Sequence, residues 1–330
     1  MLYAFLKFMG QPAIRIFCKR IIINQPACLN EDGPLLLACN HPNSFLDAVL
    51  LDLLMKQPVY SLARGDAFIN RLVARIFYSL HILPVYRTSE GVENLSENYK
   101  TFDNCLELFR HNGTVLMFSE GKCINEWHLR PLKKGTARLA IQSWKNDIPL
   151  KVLPVGLNYD SFSHVGKTVK INFGKVIRKE DIDFDMPEGL RHQAFNTRLA
   201  NELKDLVYEI GKDDKAALKK TFGTATPFLM KVVLGIPALA GYLIHAPVYL
   251  CLRYFINKKY HKTDHFDSVM IGSLLFSYPL YVILLSTCCF LVTASYWAWL
   301  CLLLLPFTAW SYIQLKDIHH AVTPTFNSAE

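Results

Sequence analysis

Apolar runs of strand length recur through the first half of the chain, at Leu35–Cys39, 59–63, 81–86, Thr114–Phe118, 151–157 and 169–173, with helical periodicity between several of them. Over 92–111, Val92, Leu95, Tyr99, Phe102, Leu106 and Phe109 recur at spacings of three and four, which puts them on one helix face. Gly113 stops that helix, with Arg110 and His111 in its last turn. A further helix is predicted over 192–211. This alternation predicts an α/β fold, a mixed or parallel sheet flanked by helices.

The pattern changes in the last third. Residues 268–315 contain no Asp, Glu, Lys or Arg, and a bilayer crossing takes ~20 apolar residues. Two spans fit, with a break near 293–297. A third uncharged stretch, 232–252, carries Gly235, Pro237, Gly241, His245 and Pro247, and the loop after it holds Arg253, Lys258, Lys259 and Lys262. Short basic loops stay cytoplasmic. If the folded domain shares that side, 232–252 is expected to bend back as a Pro-bent re-entrant or interfacial hairpin, with a third full crossing as the alternative. The division expected is an N-terminal amphipathic, interfacial segment (1–30), a catalytic domain (31–225) and a membrane region (226–330) with two to three helical spans.

Composition narrows the class. At 51% hydrophobic and 19% charged residues the chain is no disordered polymer. Its net charge of +8 fits anionic lipids and phosphate substrates better than nucleic acid once a membrane region is present. The nine cysteines include no C-x-x-C pair, which argues for reduced, packed thiols rather than a disulfide or zinc framework. Residues 1–23 mix Lys7, Arg15, Lys19 and Arg20 with Phe5, Phe8 and Phe17 and lack the uninterrupted apolar core of a signal peptide. They suit an interfacial helix or a plain packing helix equally.

Asn40-His41-Pro42-Asn43-Ser44-Phe45-Leu46-Asp47 follows a buried-type strand. Asp47 on the first turn of the next helix is placed to accept the Nδ1–H of His41, leaving Nε2 to take a hydroxyl proton. The competing reading makes Ser44 a helix cap and Asp47 its capping-box partner. Three more strand ends converge on the same kind of site: 81–87 ends in Arg87, 118–122 ends in Glu120-Gly121-Lys122, and 152–156 ends in Gly156. Sites in α/β sheets gather at the carboxyl ends of strands, so these pieces would make a base beside an anion pocket.

In this order the segments resemble the four blocks of the glycerolipid acyltransferase superfamily, from about Leu35 to Lys175, with Lys133-Lys134-Gly135-Thr136-Ala137-Arg138 and Phe173-Gly174-Lys175 as accompanying stretches. The resemblance implies transfer of a fatty acyl chain from a thioester of CoA or acyl carrier protein to a hydroxyl of a phosphorylated glycerol, lysophosphatidate or glycerol-3-phosphate. His41 would be the base and Asp47 its orienting partner. Arg87, Glu120 and Gly121 would serve acceptor binding, with Lys122, Ser44, Lys133 and Lys134 as further contacts. No metal or redox cofactor is expected, and the other partner is membrane lipid. The implied enzyme is an integral, multi-pass membrane acyltransferase of phospholipid synthesis with its catalytic domain on the cytoplasmic face.

The chain departs from the family pattern in three places. Five residues rather than four separate His41 from Asp47, as in a subgroup including fungal glycerol-3-phosphate and dihydroxyacetone-phosphate acyltransferases. His81 and Tyr86 stand where the second block has Gly and Asp. In the third block Ser119, Lys122 and Cys123 stand where the family has Pro, Thr and Arg. Loss of that Arg leaves the acceptor open: a phosphate-free lysolipid or aminoacyl lipid, or a catalytically degenerate lipid-binding module, is the alternative. Cys123 beside Lys122 is read as a neighbour rather than a nucleophile, and His41 and His81 lack metal-ligand spacing. No G-x-S-x-G, P-loop or G-x-G-x-x-G occurs.

Overall fold

The five residues Leu35–Cys39 are all fully buried, as happens to a strand at the centre of a sheet covered on both faces. In the computed structural model, which describes residues 2–86, 95–260 and 263–316 (backbone only at 95–98), that run is strand β2. The others are β1 (Cys18–Ile23), β3 (Val59–Arg64), β4 (Ile82–Val85), β5 (Thr114–Phe118), β6 (Lys151–Tyr159) and β7 (Lys167–Phe173). They form one mixed sheet in the order β1-β7-β6-β2-β5-β3-β4, parallel throughout except between β6 and β7.

Alternation along β2 divides the core. Leu35, Leu37 and Cys39 join one cluster, with Leu46 and Leu50 of α2 (Ser44–Leu54) and Ile14 and Phe17 of α1 (Leu2–Phe17). Leu36 and Ala38 join the other, beneath α4 (Leu95–Arg110), α5 (Lys134–Lys145) and α6 (Glu188–Leu206). A short helix α3 (Arg71–Ser79) links β3 to β4, and α7 (Lys215–Phe222) precedes the apolar region.

Among the described residues three helices are long and apolar enough to cross a membrane, and they mark a membrane protein: α8 (Phe228–Tyr260), α9 (Phe266–Thr293) and a third segment ending in α10 (Cys301–Leu315). The hairpin expected within 232–252 does not form. Both prolines sit inside one unbroken helix, as helices within apolar bundles tolerate. The expected break near 293 falls at Ala294, which takes the left-handed conformation (φ 49°). Ile256, Phe266, Met270, Ile271 and Ile313 belong to the same cluster as Leu35 and Leu50, so the C-terminal helices complete the core of the α/β fold.

The N-terminal segment differs from the expectation. Its α-helix covers only the first part, with Phe5 and Phe8 outward and Ile14 and Phe17 inward. Tyr3 donates to Asp52 of α2 (2.8 Å). The chain then enters edge strand β1, paired parallel to β7; the β-branched run Ile21-Ile22-Ile23 suits that place, while the basic residues before it masked the strand. The predicted 192–211 helix lies at Glu188–Leu206.

Gly156 does not end a strand, as read from the sequence. It lies inside β6, where a Cβ would stand 2.4 Å from the carbonyl oxygen of Leu206. That carbonyl, at the end of α6, accepts from Asn158 (2.9 Å) and Asn172 (2.8 Å). Gly156→Ala should displace the end of α6 and cost about 1–3 kcal/mol, read as a lowered unfolding temperature. An unchanged temperature would show that α6 yields freely.

Candidate active site

The first block starts where β2 stops. Asn40 continues the ladder with its side chain, accepting from the Leu157 N–H (2.8 Å) and donating to the Leu157 carbonyl (3.0 Å). The chain then turns through His41, Pro42 and Asn43 into α2. Ser44 opens that helix at φ 50°, a strained conformation for a residue with a Cβ, of the sort that clusters at functional sites.

Asp47, one turn into α2, is fully buried. Its Oδ2 lies 2.9 Å from His41 Nδ1 and accepts the Asn43 N–H (2.8 Å); its Oδ1 accepts the Tyr159 hydroxyl (2.6 Å). A carboxylate without solvent needs such donors. The helix N-terminus adds a favourable field. With Asp47 acting only as acceptor, the proton on Nδ1 is assigned from the network, which leaves Nε2 as the basic nitrogen. The His41 side chain is 17% exposed, and its ring stacks on Phe118 at 3.7 Å and 10°. The simple capping box fails: Ser44 Oγ instead lies 2.6 Å from His265 Nδ1, while the Asp47 carboxylate serves the His41 ring.

The third block closes the loop from the other side. Glu120 is buried, with one oxygen accepting the His41 N–H and the other the Arg130 N–H, each at 2.9 Å. Burial pushes its carboxyl above the usual range, against the pull of those two N–H groups. In this structure Glu120 therefore braces the His41 loop. Gly121 sits at φ 68°, which glycine adopts without steric cost. Cys123 Sγ accepts the Ser44 N–H (2.9 Å); burial and the nearby Asp47 push its thiol upward, the opposite of a thiolate nucleophile. Lys122 is exposed and Lys133 packs its stem against Gly121. Lys134 does not join them. It lines a groove with His192 and Asn196 of α6, because it begins α5 and turns with that helix.

Position 81 explains one family departure. His81 takes φ 59° between α3 and β4, where glycine is the easy choice. Its ring is held between Tyr3 (4.2 Å) and Tyr60 (4.4 Å) instead. Tyr86 lies across Gly65. Arg87 falls outside the described residues, as do His261, Lys262, His319 and His320.

Sequence reasoning missed Tyr159, Arg130, His265 and Asp267. Tyr159 lies two residues beyond the predicted strand end. The Arg130 guanidinium donates to the Lys122 carbonyl (3.0 Å) and so places a fork-shaped cation beside the loop where Cys123 replaces the family Arg. No spacing signal marked it. His265 and Asp267 sit at the head of an apolar helix, where nothing local suggested a tie to residues 43 and 44.

Residues 20–158 match the family model described as Acyltransferase. No curated protein matches the chain. A solved structure, the 1-acyl-sn-glycerophosphate (LPA) acyltransferase PlsC from Thermotoga maritima, is similar at 12% identity and a TM-score of 0.45, over 67% of this chain and 81% of that one. The matched segment holds β2, the His41 loop, Asp47 and the Glu120 turn. Over this stretch, less than half of its length, the chain is similar to the family of that description.

Tyr159→Phe removes one of three donors from a buried carboxylate. A hydrogen bond to a charged group contributes about 1.5–3 kcal/mol, so the kcat of the purified protein should fall roughly tenfold or more while the KM values hold. An unchanged kcat would mean that Tyr159 only packs.

Proposed function

We propose that the protein is a membrane-embedded enzyme of phospholipid synthesis. It moves a fatty acyl chain from an acyl thioester, of CoA or acyl carrier protein, to a hydroxyl of a glycerol-phosphate-type acceptor, lysophosphatidate or glycerol-3-phosphate. The observation that carries this reading is the 2.9 Å contact between His41 Nδ1 and the buried Asp47 carboxylate, within the matched domain.

In this mechanism His41 Nε2 takes the proton of the acceptor hydroxyl as its oxygen attacks the thioester carbonyl carbon. The tetrahedral oxyanion collapses, the C–S bond breaks, and the departing thiolate receives the proton from the imidazolium. Asp47 holds the ring in place, and backbone N–H groups at the site are the natural donors to the oxyanion. Lys122, Arg130 and Arg87 supply positive charge for the acceptor phosphate, a guanidinium giving the bidentate geometry that an ammonium lacks. Lys133 is a weaker contact. In this reading the catalytic domain lies on the cytoplasmic face, where anionic lipid attracts its excess of basic residues. The acyl tail would leave the site toward the apolar helices.

Detergent-purified protein offered labelled acyl-CoA or acyl carrier protein, with glycerol-3-phosphate, lysophosphatidate or a phosphate-free lysolipid, tests this reading. Turnover on a phosphorylated acceptor is expected, with His41→Ala inactive and Asp47→Asn reduced by about 10²–10⁴. Full activity of His41→Ala would remove the mechanism. Turnover on the phosphate-free lysolipid alone would change the acceptor class, and binding without turnover would favour a lipid-binding module. Arg87→Ala should raise the acceptor KM more than the donor KM; equal effects would make Arg87 structural.

A further inference from the structure

The turn that begins α9 is bonded to the acyltransferase blocks at four successive points, although it lies more than a hundred residues beyond the matched segment. Asp264 Oδ1 accepts the Asn125 N–H (3.1 Å). His265 Nδ1 meets Ser44 Oγ (2.6 Å). Asp267 Oδ2 accepts from the Asn43 side-chain amide (2.8 Å). Ser268 Oγ accepts the Leu46 N–H (3.1 Å) and reaches the Asn43 carbonyl (3.4 Å). Asn43, Lys167 and Asp267 are each fully or almost fully buried. Lys167 donates to the Ser161 carbonyl (3.0 Å) and to Asp267 Oδ2, so the charge on Asp267 is balanced by a strand of the catalytic sheet. The same Asn43 gives its backbone N–H to Asp47. A hydrogen-bonded path thus runs from the head of an apolar helix to the carboxylate that holds His41.

We propose that Asp267 is a positioning residue of the reaction: by fixing the Asn43 side chain it sets the 42–44 loop, and with it the His41–Asp47 pair, so that helix α9 is part of the catalytic machinery. This rests on the acyl-transfer reading above. A buried ion pair can also be a packing device that apolar residues replace without loss, so the test must separate bracing from stability.

Two double variants do so. Lys167→Met with Asp267→Asn, and Lys167→Met with Asp267→Leu, both leave the buried site uncharged and similar in volume, and both lose the bond to Ser161. They differ in whether Asn43 keeps an acceptor. The Asn form is expected to retain kcat within about threefold of wild type. Misplacing catalytic groups by about an ångström costs up to 10²-fold; the Leu form should therefore lose kcat by roughly 10–10²-fold, with an unchanged donor KM and an unfolding temperature close to that of the Asn form. Asn43→Ala should cost much less in the Leu background than in wild type. Hydrogen exchange at amides 43–46 reads the brace without turnover and should quicken in the Leu form alone. Equal kcat and equal exchange in the two double variants, or additive losses with Asn43→Ala, would overturn the proposal. A wild-type protein that transfers no acyl group to any acceptor would instead strike the function reading, while the exchange comparison would still decide whether the brace exists.

Discussion

A carboxylate removed from water at the first turn of a helix sets the terms for everything around it. Unsolvated, the charge on Asp47 would be prohibitive, and three donors offset that cost: the His41 ring, the Asn43 N–H and the Tyr159 hydroxyl. Each comes from a different constraint. His41 is delivered by the end of β2, Asn43 by the turn that starts α2, and Tyr159 by the last residue of the adjacent strand β6. Burial raises the Tyr159 hydroxyl far above the usual phenol range, so it keeps the proton that it donates to the Asp47 carboxylate. Loosening any of the three elements would leave a buried charge underpaired.

The second constraint is the joining of the two motif loops. Glu120 spends both carboxylate oxygens on backbone N–H groups, one on His41 and one on Arg130, and the Ser119 N–H bonds back to the Cys39 carbonyl (2.8 Å). The ends of neighbouring strands β2 and β5 are thereby sewn together beside the His41 loop. Substitution of the family Arg by Cys123 fits this frame: the thiol fills a half-buried position against the Ser44 N–H, where a guanidinium would need more room and a counter-charge. Arg130 returns a guanidinium to the same loop from ten residues beyond Glu120.

Much of this arrangement was legible in the chain because it depends on short-range pattern. The run Leu35–Cys39 followed by Asn-His-Pro-Asn-Ser and then Asp47 states the strand, the turn and the helix in a dozen residues, and hydrophobic alternation placed five more strands. What escaped notice is long-range. Tyr159 stands 112 positions from Asp47, Asp267 stands 224 from Asn43, and neither carries a local signal. β1 was hidden because edge strands tolerate the charged residues that also suggest an interfacial helix. Gly156 was misread because the carbonyl that excludes its Cβ belongs to Leu206, fifty residues later.

The placement of the apolar helices bears on why the site is built this way. Were α8, α9 and α10 only anchors, they would be joined to the catalytic fold by a linker and share no core with it. Instead Met270 and Ile313 are buried with Leu37 and Leu50, and the first turn of α9 bonds the turn that carries His41. On the proposed reading the donor is a thioester with a polar reacting end and a long apolar tail, and both must be held still together. A catalytic loop built against the base of an apolar helix meets that demand, because the carbonyl can stay among polar groups while the tail continues along the helix. On the proposed reading, the junction at residues 264–268 is where the chemistry of the sheet and the solvent of the tail meet.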